Sequence, residues 1–333
     1  LTIASTHPYA SLTPDVVLNA LDALGMRCDG RLHSLNSYEN RVYQIGQEAG
    51  GYVVAKFYRP ERWSDAQIEE EHTFACELAD AEIPVVAPLV IGGSTLHRFE
   101  GFRFAVYPRQ GGRAPELDDE KTLEWIGRFL GRIHALGRSR PFTTRPTLDI
   151  ASYGDESRNY LLESGFIPAE LRDQWQTIAD LALEGVHGAY ARAGDVAYIR
   201  AHGDCHSGNV LWTPTDGNAQ GGPHFVDLDD CRMAPAVQDF WMLISGDRAE
   251  MGKQLRAMLR GYEDFCEFDD RELNLVEALR TLRLLHYSAW LARRWDDPAF
   301  PIAFPWFNTT RYWQDRVLEL REQVADMAER PIL

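Results

Sequence analysis

Residues 202–212 read HGDCHSGNVLW, and residues 225–230 read FVDLDD. Asp204 and Asn209 stand five positions apart in the first stretch, and Asp227 follows an apolar run in the second. A hairpin pairing residues 210–212 with 225–226 brings Asn209 beside Asp227. A carboxylate and an amide oxygen are hard donors, suited to Mg²⁺ that shares its other ligand positions with water and phosphate oxygens. Asp204 is then left to orient or deprotonate a hydroxyl nucleophile. Zinc fits the stretch poorly. His202, Cys205 and His206 are too crowded for tetrahedral ligation, and no second Cys/His pair lies at zinc-site spacing. His202 reads better as a brace whose imidazole bonds backbone carbonyls of the loop. His206 is either a surface residue or a ligand contact.

A second set lies upstream. Lys56 interrupts the apolar run YVVAKFY at 52–58 and shares a face with Val54 and Tyr58 by twofold alternation. Alone, it reads as a lysine snorkelling from an edge strand. The helix that follows carries Glu69, Glu70 and Glu71. Phe74, Ala75 and Leu78 mark its inward face, and Glu71 precedes Ala75 and Leu78 by four and seven positions. Glu71 therefore turns inward as the partner for Lys56, while Glu69 and Glu70 are expected in solvent. Ser37 sits in LNSYEN at 35–40, a turn without glycine. By itself it reads as an ordinary turn.

The elements that must hold these residues are legible in outline. Thr13-Pro14-Asp15 opens a capped helix with Val16, Val17, Ala20 and Leu24 inward. Runs at 41–45 and 52–58 flank a glycine-bearing turn and predict a β-hairpin. A helix is expected over 65–81, ended by Pro84 and Pro88, with further strands at 89–91 and 102–107. PRQGG at 108–112 breaks both kinds of regular structure. Beyond it, threefold-to-fourfold spacing predicts helices over 122–136, 273–295 and 312–328, and short strands at 210–212 and 224–226. This is an α+β architecture of two lobes. Residues 1–107 form a small antiparallel β-rich N-lobe, 108–113 a hinge, and 114–333 a larger, mainly helical C-lobe with the catalytic loop and metal site.

Composition narrows the partners. The chain has 333 residues, 45% hydrophobic, with a net charge of −16. A general nucleic-acid binder needs a basic footprint, so nucleic acid is not an expected partner. No apolar run approaches the ~18 residues of a membrane span. The opening residues show no basic segment leading into an apolar core, so no secretory signal is read. The five cysteines are an odd number, widely spaced, with no C-x-x-C. Reduced thiols and a cytoplasmic location are the expectation. No long heptad run calls for a dimer, so a monomer is expected.

The ordered set H-G-D-x-H-x-x-N, then V-D-x-D-D, with IPVVAPL at 83–89 and GRFLGRIHALG at 127–137, resembles the aminoglycoside phosphotransferase and choline kinase branch of the protein-kinase-like fold. LNSYENRVYQ, VAKFYRPERWSDAQIEEEH, FVDLDDCRMAPAVQDFWML and RRWDDPAFPIAFPW are similar more narrowly to the stress response kinase A family, also called YihE or RdoA. That resemblance implies an autophosphorylating cytosolic Ser/Thr protein kinase using ATP and Mg²⁺, in bacterial stress response. It implies Asp204 as proton acceptor, Asn209 and Asp227 as Mg²⁺ ligands with Asp227 counted as catalytic, and Ser37 and Lys56 at the ATP phosphates. In kinases a strand lysine pairs with a helix glutamate while contacting the phosphates, the role expected of Lys56 and Glu71. The adenine is expected against the backbone of 106–109, including Val106, Tyr107 and Arg109, with ATP between the lobes. The Gly-rich connection at 213–224 is expected to be a flexible surface insertion. Asp229 assists a second metal, braces its loop or is solvated, and Asp239 is expected to anchor the catalytic loop from a helix start. No A-P-E follows V-D-x-D-D (the one at 114–116 lies upstream of H-G-D), and no long phosphorylatable segment is present there, so activation-loop control is not expected.

The acceptor is the open question. His286, Tyr287, Trp290, Trp295, Phe300, Phe304, Trp306, Phe307, Tyr312 and Trp313 form either packed core or an acceptor wall. As a wall they would cage a quaternary ammonium or line a peptide groove. The primary expectation is a Ser/Thr hydroxyl on protein, the chain itself included. The alternatives are a small-molecule kinase acting on choline, an aminoglycoside or a sugar alcohol, and a nucleotide-binding scaffold without turnover.

Overall fold

The computed structural model describes residues 7–214 and 221–333. The described residues divide into two compact units, the first drawn from Leu1–Pro115, Thr143–Arg145 and Gly208–Asp229, the second from the remainder. The chain therefore crosses between units several times. Gly208–Asp229, which the sequence reading assigned to the second lobe, packs with the first unit.

The first unit opens with helix α1 (Pro14–Asp22), capped by the Thr13 hydroxyl accepting from the Val16 N–H. Five antiparallel strands follow: β1 (Cys28–Ser34), β2 (Arg41–Gln47), β3 (Tyr52–Phe57), β4 (His97–Phe99) and β5 (Phe102–Pro108), in the order β1-β2-β3-β5-β4. β2 and β3 are the predicted hairpin, with Val42 opposite Lys56. β1 carries no clean alternation and was not anticipated. Its burial is mostly exposed and its register shifts between Cys28 and Leu32. The strand expected at 89–91 is not one. Leu89 donates to the Val106 carbonyl, and Ile91 makes an isolated bridge to Ser94. One face of the sheet packs Val53, Ala55, Phe57, Phe102, Phe104 and Val106 against Val17, Ala20 and Leu21 of α1.

Helix α2 (Asp65–Asp80) follows β3. Ser64 accepts from the Gln67 N–H and the Gln67 side chain accepts from the Ser64 N–H, a reciprocal cap that fixes where the helix starts. Ile68, Glu71, Phe74, Ala75 and Leu78 form its buried stripe. Strands β7 (Val210–Thr213) and β8 (Gly222–Phe225) complete the unit as an antiparallel hairpin. It docks on the segment after α2, where the Phe225 N–H donates to the Pro84 carbonyl and the Val86 N–H to the Phe225 carbonyl. Within the connection expected as a flexible insertion, 215–220 lie outside the described residues.

The second unit is mainly helical: α3 (Glu120–Gly137), α4 (Glu156–Ser164), α5 (Ala169–Ala193), α6 (Arg248–Tyr262), α7 (Val276–Arg293), α8 (Ala299–Ala303) and α9 (Thr310–Asp326), with a short antiparallel pair, β6 (Ile199–Ala201) and β9 (Arg232–Ala234). The helices expected over 122–136, 273–295 and 312–328 appear as α3, α7 and α9, the second preceded by a 3-10 turn at Asp270–Leu275. No described helix is long and apolar enough to cross a membrane. Helices α3 and α6 approach closely at glycine. A Cβ built on Gly127 would lie 1.9 Å from the Met258 carbonyl oxygen. Gly127→Ala is expected to lower stability by about 1–3 kcal/mol or more, read as a lower urea midpoint at unchanged slope.

Candidate functional site

Six predicted residues, Ser37, Lys56, Glu71, Tyr107, Asn209 and Asp227, line one cavity of about 370 Å³ within the first unit. Lys56 is on β3, which lies in the middle of the sheet, so it does not snorkel from an edge. It is 6% exposed. Its ammonium lies 2.9 Å from Asp227, 3.7 Å from Glu71 and 3.8 Å from Asp229. Burial alone would pull the ammonium's pKa down. The carboxylates of Asp227, Glu71 and Asp229 outweigh it and hold the group well above the ordinary lysine value. Lys56 is a fixed cation. Glu71 is 2% exposed. Its burial pushes the carboxyl upward, an effect that Lys56 opposes. The buried cluster is balanced by Arg62, which pairs with Asp229, and Arg145, which donates to the Asp229 carbonyl.

Asp227 differs from the other two acids. Its side chain is 49% exposed, and its backbone is left-handed with φ +59. Asp tolerates that conformation better than most residues. The Val226 N–H donates to the Asn209 carbonyl at 3.0 Å, and Val210 is opposite Phe225. The predicted hairpin thus holds Asn209 and Asp227 at adjacent strand ends. A half-exposed carboxylate and an amide on one cavity wall fit a Mg²⁺ that takes its other ligands from water and phosphate. Among the described residues no group of three or more His, Cys, Asp or Glu is arranged to hold a metal.

Asp229 is a brace. It is buried, and accepts from the Asn40 amide at 3.1 Å as well as from Arg62. Asn40 also accepts from the Arg59 N–H. It therefore ties the turn carrying Ser37 to the loop carrying Asp227. Leu35 and Asn36 line the cavity with Ser37. Of the residues expected around the adenine, Tyr107 lines the cavity with Pro108 and Gln110. Val106 is buried with its carbonyl taken by Leu89. Arg109 turns its side chain to Gln44. Behind Tyr107, the Tyr58 hydroxyl bonds both Tyr107 and His72. Burial pulls His72 down to about 3, so it is neutral.

Glu70 corrects the expectation of a solvated residue. One oxygen accepts from the Thr143 N–H at 2.5 Å and hydroxyl at 2.8 Å. The other accepts from the Thr144 N–H at 2.8 Å, the Thr144 hydroxyl at 2.7 Å and the Arg145 N–H at 2.8 Å. Partial burial would raise the carboxyl, but these bonds hold it down at about 2. A folded value below the unfolded one stabilises fully above about pH 4.5, and that contribution fades as pH falls through about 2. Glu70→Gln is expected to cost about 1–3 kcal/mol at pH 7. The gap to wild type in urea unfolding should be constant above about pH 5 and narrow below it. A gap independent of pH would contradict the role of the charge.

Asp204 belongs to the second unit. Its loop needs glycine: Gly203 has φ +83, and a Cβ there would lie 2.3 Å from the Asp230 carbonyl oxygen. Asp239 anchors the loop, as expected. It does so directly, accepting from the N–H groups of His202 at 2.7 Å and Gly203 at 2.8 Å and bonding His134 at 2.9 Å, not through a helix start. It lies at the end of a 3-10 turn. Burial opposes its charge, but His134 and these bonds keep its carboxyl below the ordinary range. His202 braces the loop at Nδ1, which accepts from the Asp204 N–H at 3.4 Å, where a carbonyl contact was expected. Asp204 Oδ1 accepts from Arg283 of α7 at 2.6 Å, and Oδ2 lies 3.6 Å from His206. Arg283 was not anticipated, since nothing in the sequence links residues 79 positions apart. Nearby, Tyr153 stacks on His286 at 4.1 Å with Arg232 over its ring. The aromatic cluster divides: Phe300, Phe304, Phe307, Tyr312 and Trp313 are buried, while Trp306 is exposed and lines, with Tyr287 and Tyr312, a second cavity of about 530 Å³. The face of Trp290 is taken by Arg294.

The profile of a phosphotransferase enzyme family matches residues 31–276. The chain is 45% identical over 324 residues to the serine/threonine protein kinase RdoA of Salmonella typhimurium strain LT2, covering 97% of this chain and 96% of that one. It is 44% identical over 328 residues to stress response kinase A of Escherichia coli K12, covering 98% and 97%. Among solved structures it is similar to an amicoumacin kinase in complex with AMP-PNP and Ca²⁺ (TM-score 0.71, 22% identity, 96% of this chain and 94% of that one). It is also similar to the choline kinase LicA from Streptococcus pneumoniae (TM-score 0.61, 14% identity, 95% and 100%). At these identities the structural likeness concerns the fold.

Proposed function

The chain belongs to the phosphotransferase enzyme family, among the stress response kinase A proteins, and from that membership we propose an ATP-dependent kinase whose acceptor is a Ser or Thr hydroxyl on protein, its own chain included. It has the protein-kinase-like fold. The nucleotide phosphates are assigned to the cavity of the first unit, with Lys56 as their fixed cation and Ser37 with its flanking N–H groups as donors. Glu71 keeps Lys56 extended toward that cavity. Asn209 and Asp227 would hold a divalent ion, which supplies neutralisation of the charge developing on the phosphates. Asp204 accepts the proton of the attacking hydroxyl, on a loop whose backbone is fixed by Asp239.

The observation that carries the choice of acceptor is the ion pair between Asp204 and Arg283 at 2.6 Å. A base with an arginine on its own oxygen disfavours a cationic acceptor such as choline or an aminoglycoside, which would meet like charge. The name of the Salmonella relative, a serine/threonine protein kinase, points the same way. With labelled ATP and Mg²⁺, this protein is expected to label its own Ser or Thr residues and those of an added protein. Rapid labelling of choline or an aminoglycoside with no protein labelled would overturn the reading in favour of a small-molecule kinase.

A further inference from the structure

Thr143–Arg145 is a three-residue excursion into the first unit from a stretch otherwise in the second. Glu70 of α2 holds it there through three backbone and two hydroxyl donors. Both threonines are exposed. Arg145, the next residue, is buried over the Trp63 ring at 4.2 Å and donates to the Asp229 carbonyl. Asp229 in turn lies 3.8 Å from Lys56, and Glu70 is adjacent in sequence to Glu71, the other partner of Lys56. The tripeptide is thus a latch. At one end it grips the helix that positions Lys56, and at the other the loop that presents Asp227.

Two solvent-exposed hydroxyls that both donate to one carboxylate make this latch sensitive to charge. We propose that Thr143–Thr144 is a self-phosphorylation site, and that phosphate there opens the latch, frees α2 and weakens nucleotide binding. The proposal rests on the protein-kinase reading above. In the reaction a threonine Oγ1 forms the bond to the γ-phosphorus of ATP as the bond from that phosphorus to the β-phosphate oxygen breaks. The hydroxyl proton passes to Asp204 of the acting copy, and ADP leaves with the electron pair. The product exchanges a hydroxyl donor for a group of roughly −1.5 to −2 charge beside Glu70. A phosphate that drew the Arg145 guanidinium off the Asp229 carbonyl would loosen the latch as well. The result is negative feedback on nucleotide affinity, without an activation loop.

The test is to incubate the full chain with ATP and Mg²⁺, map phosphate by mass spectrometry, and compare ADP affinity by calorimetry before and after. Expected are phosphate on Thr143 or Thr144, affinity lower by about 5- to 150-fold, and faster hydrogen exchange in α2. The Thr143→Val, Thr144→Val double variant keeps the three backbone donors. It should bind ADP within about threefold of wild type and lose that fall in affinity after incubation. Phosphate only elsewhere, or phosphate here with unchanged affinity, would overturn the latch and leave the protein-kinase reading intact. No phosphate on any residue would overturn both.

Discussion

Asp204→Asn is expected to lower turnover by roughly 10²–10⁴-fold, the range for loss of a positioned general base, while Mg²⁺-dependent ADP affinity stays within about twofold. The second half of that expectation follows from where Asp204 sits. Its side chain is engaged by Arg283 and His206 in the second unit, whereas the cavity assigned to the nucleotide is lined by first-unit residues. The fold should survive. The loop is held through backbone groups of His202 and Gly203 on Asp239, none of which the substitution touches. Arg283 is part-exposed, so it can be hydrated when its partner loses charge. Single-turnover transfer separates chemistry from product release. Near-wild-type transfer would remove Asp204 from the role of base.

Asp227→Ala should reduce nucleotide affinity in Mg²⁺ to the level wild type shows without it, a drop on the order of 10²-fold or more. Asp227 is the half-exposed acid of the buried charge cluster, so it is the one positioned to meet a ligand. Loss of Asp227 does not leave Lys56 bare, because Glu71 and Asp229 remain at 3.7 and 3.8 Å. A collapse of the lysine site therefore cannot stand in for loss of the metal ligand. Asp227→Asn is the companion variant. It accepts the left-handed backbone but removes the charge, and should lose most of the Mg²⁺ dependence too. Calorimetry with and without Mg²⁺ reads both, and unchanged Mg²⁺-dependent affinity in either variant would take Asp227 out of the metal site.

Much of the site was legible because its logic is local. Asn209 and Asp227 come together through a short hairpin whose pairing follows from two apolar runs. Lys56 and Glu71 meet because a twofold strand pattern runs into a capped helix with a visible inward stripe. The glycine of H-G-D is required by one left-handed position and one close carbonyl. The resemblance added chemical roles to residues that spacing had already singled out, and it alone pointed to Ser37 and to the adenine-side residues Val106, Tyr107 and Arg109.

What the sequence by itself determined is the inventory: which oxygens and which cation, at what spacing, on which strand or helix. That information resides in side-chain chemistry and in periods of two and 3.6 residues. Only tertiary structure decided the partners that come from afar. Asn40 and Arg62 converge on Asp229, Arg145 reaches its carbonyl, Glu70 captures Thr143–Arg145, and Arg283 covers Asp204. Glu70 and Arg283 resemble any charged residue on a helix until the chain brings their partners to them. The assignment of Gly208–Asp229 to the first unit is of the same kind, fixed by hydrogen bonds to Pro84 and Val86. Contacts between distant segments repeat with no period along the chain, so they become visible only when the backbone is folded.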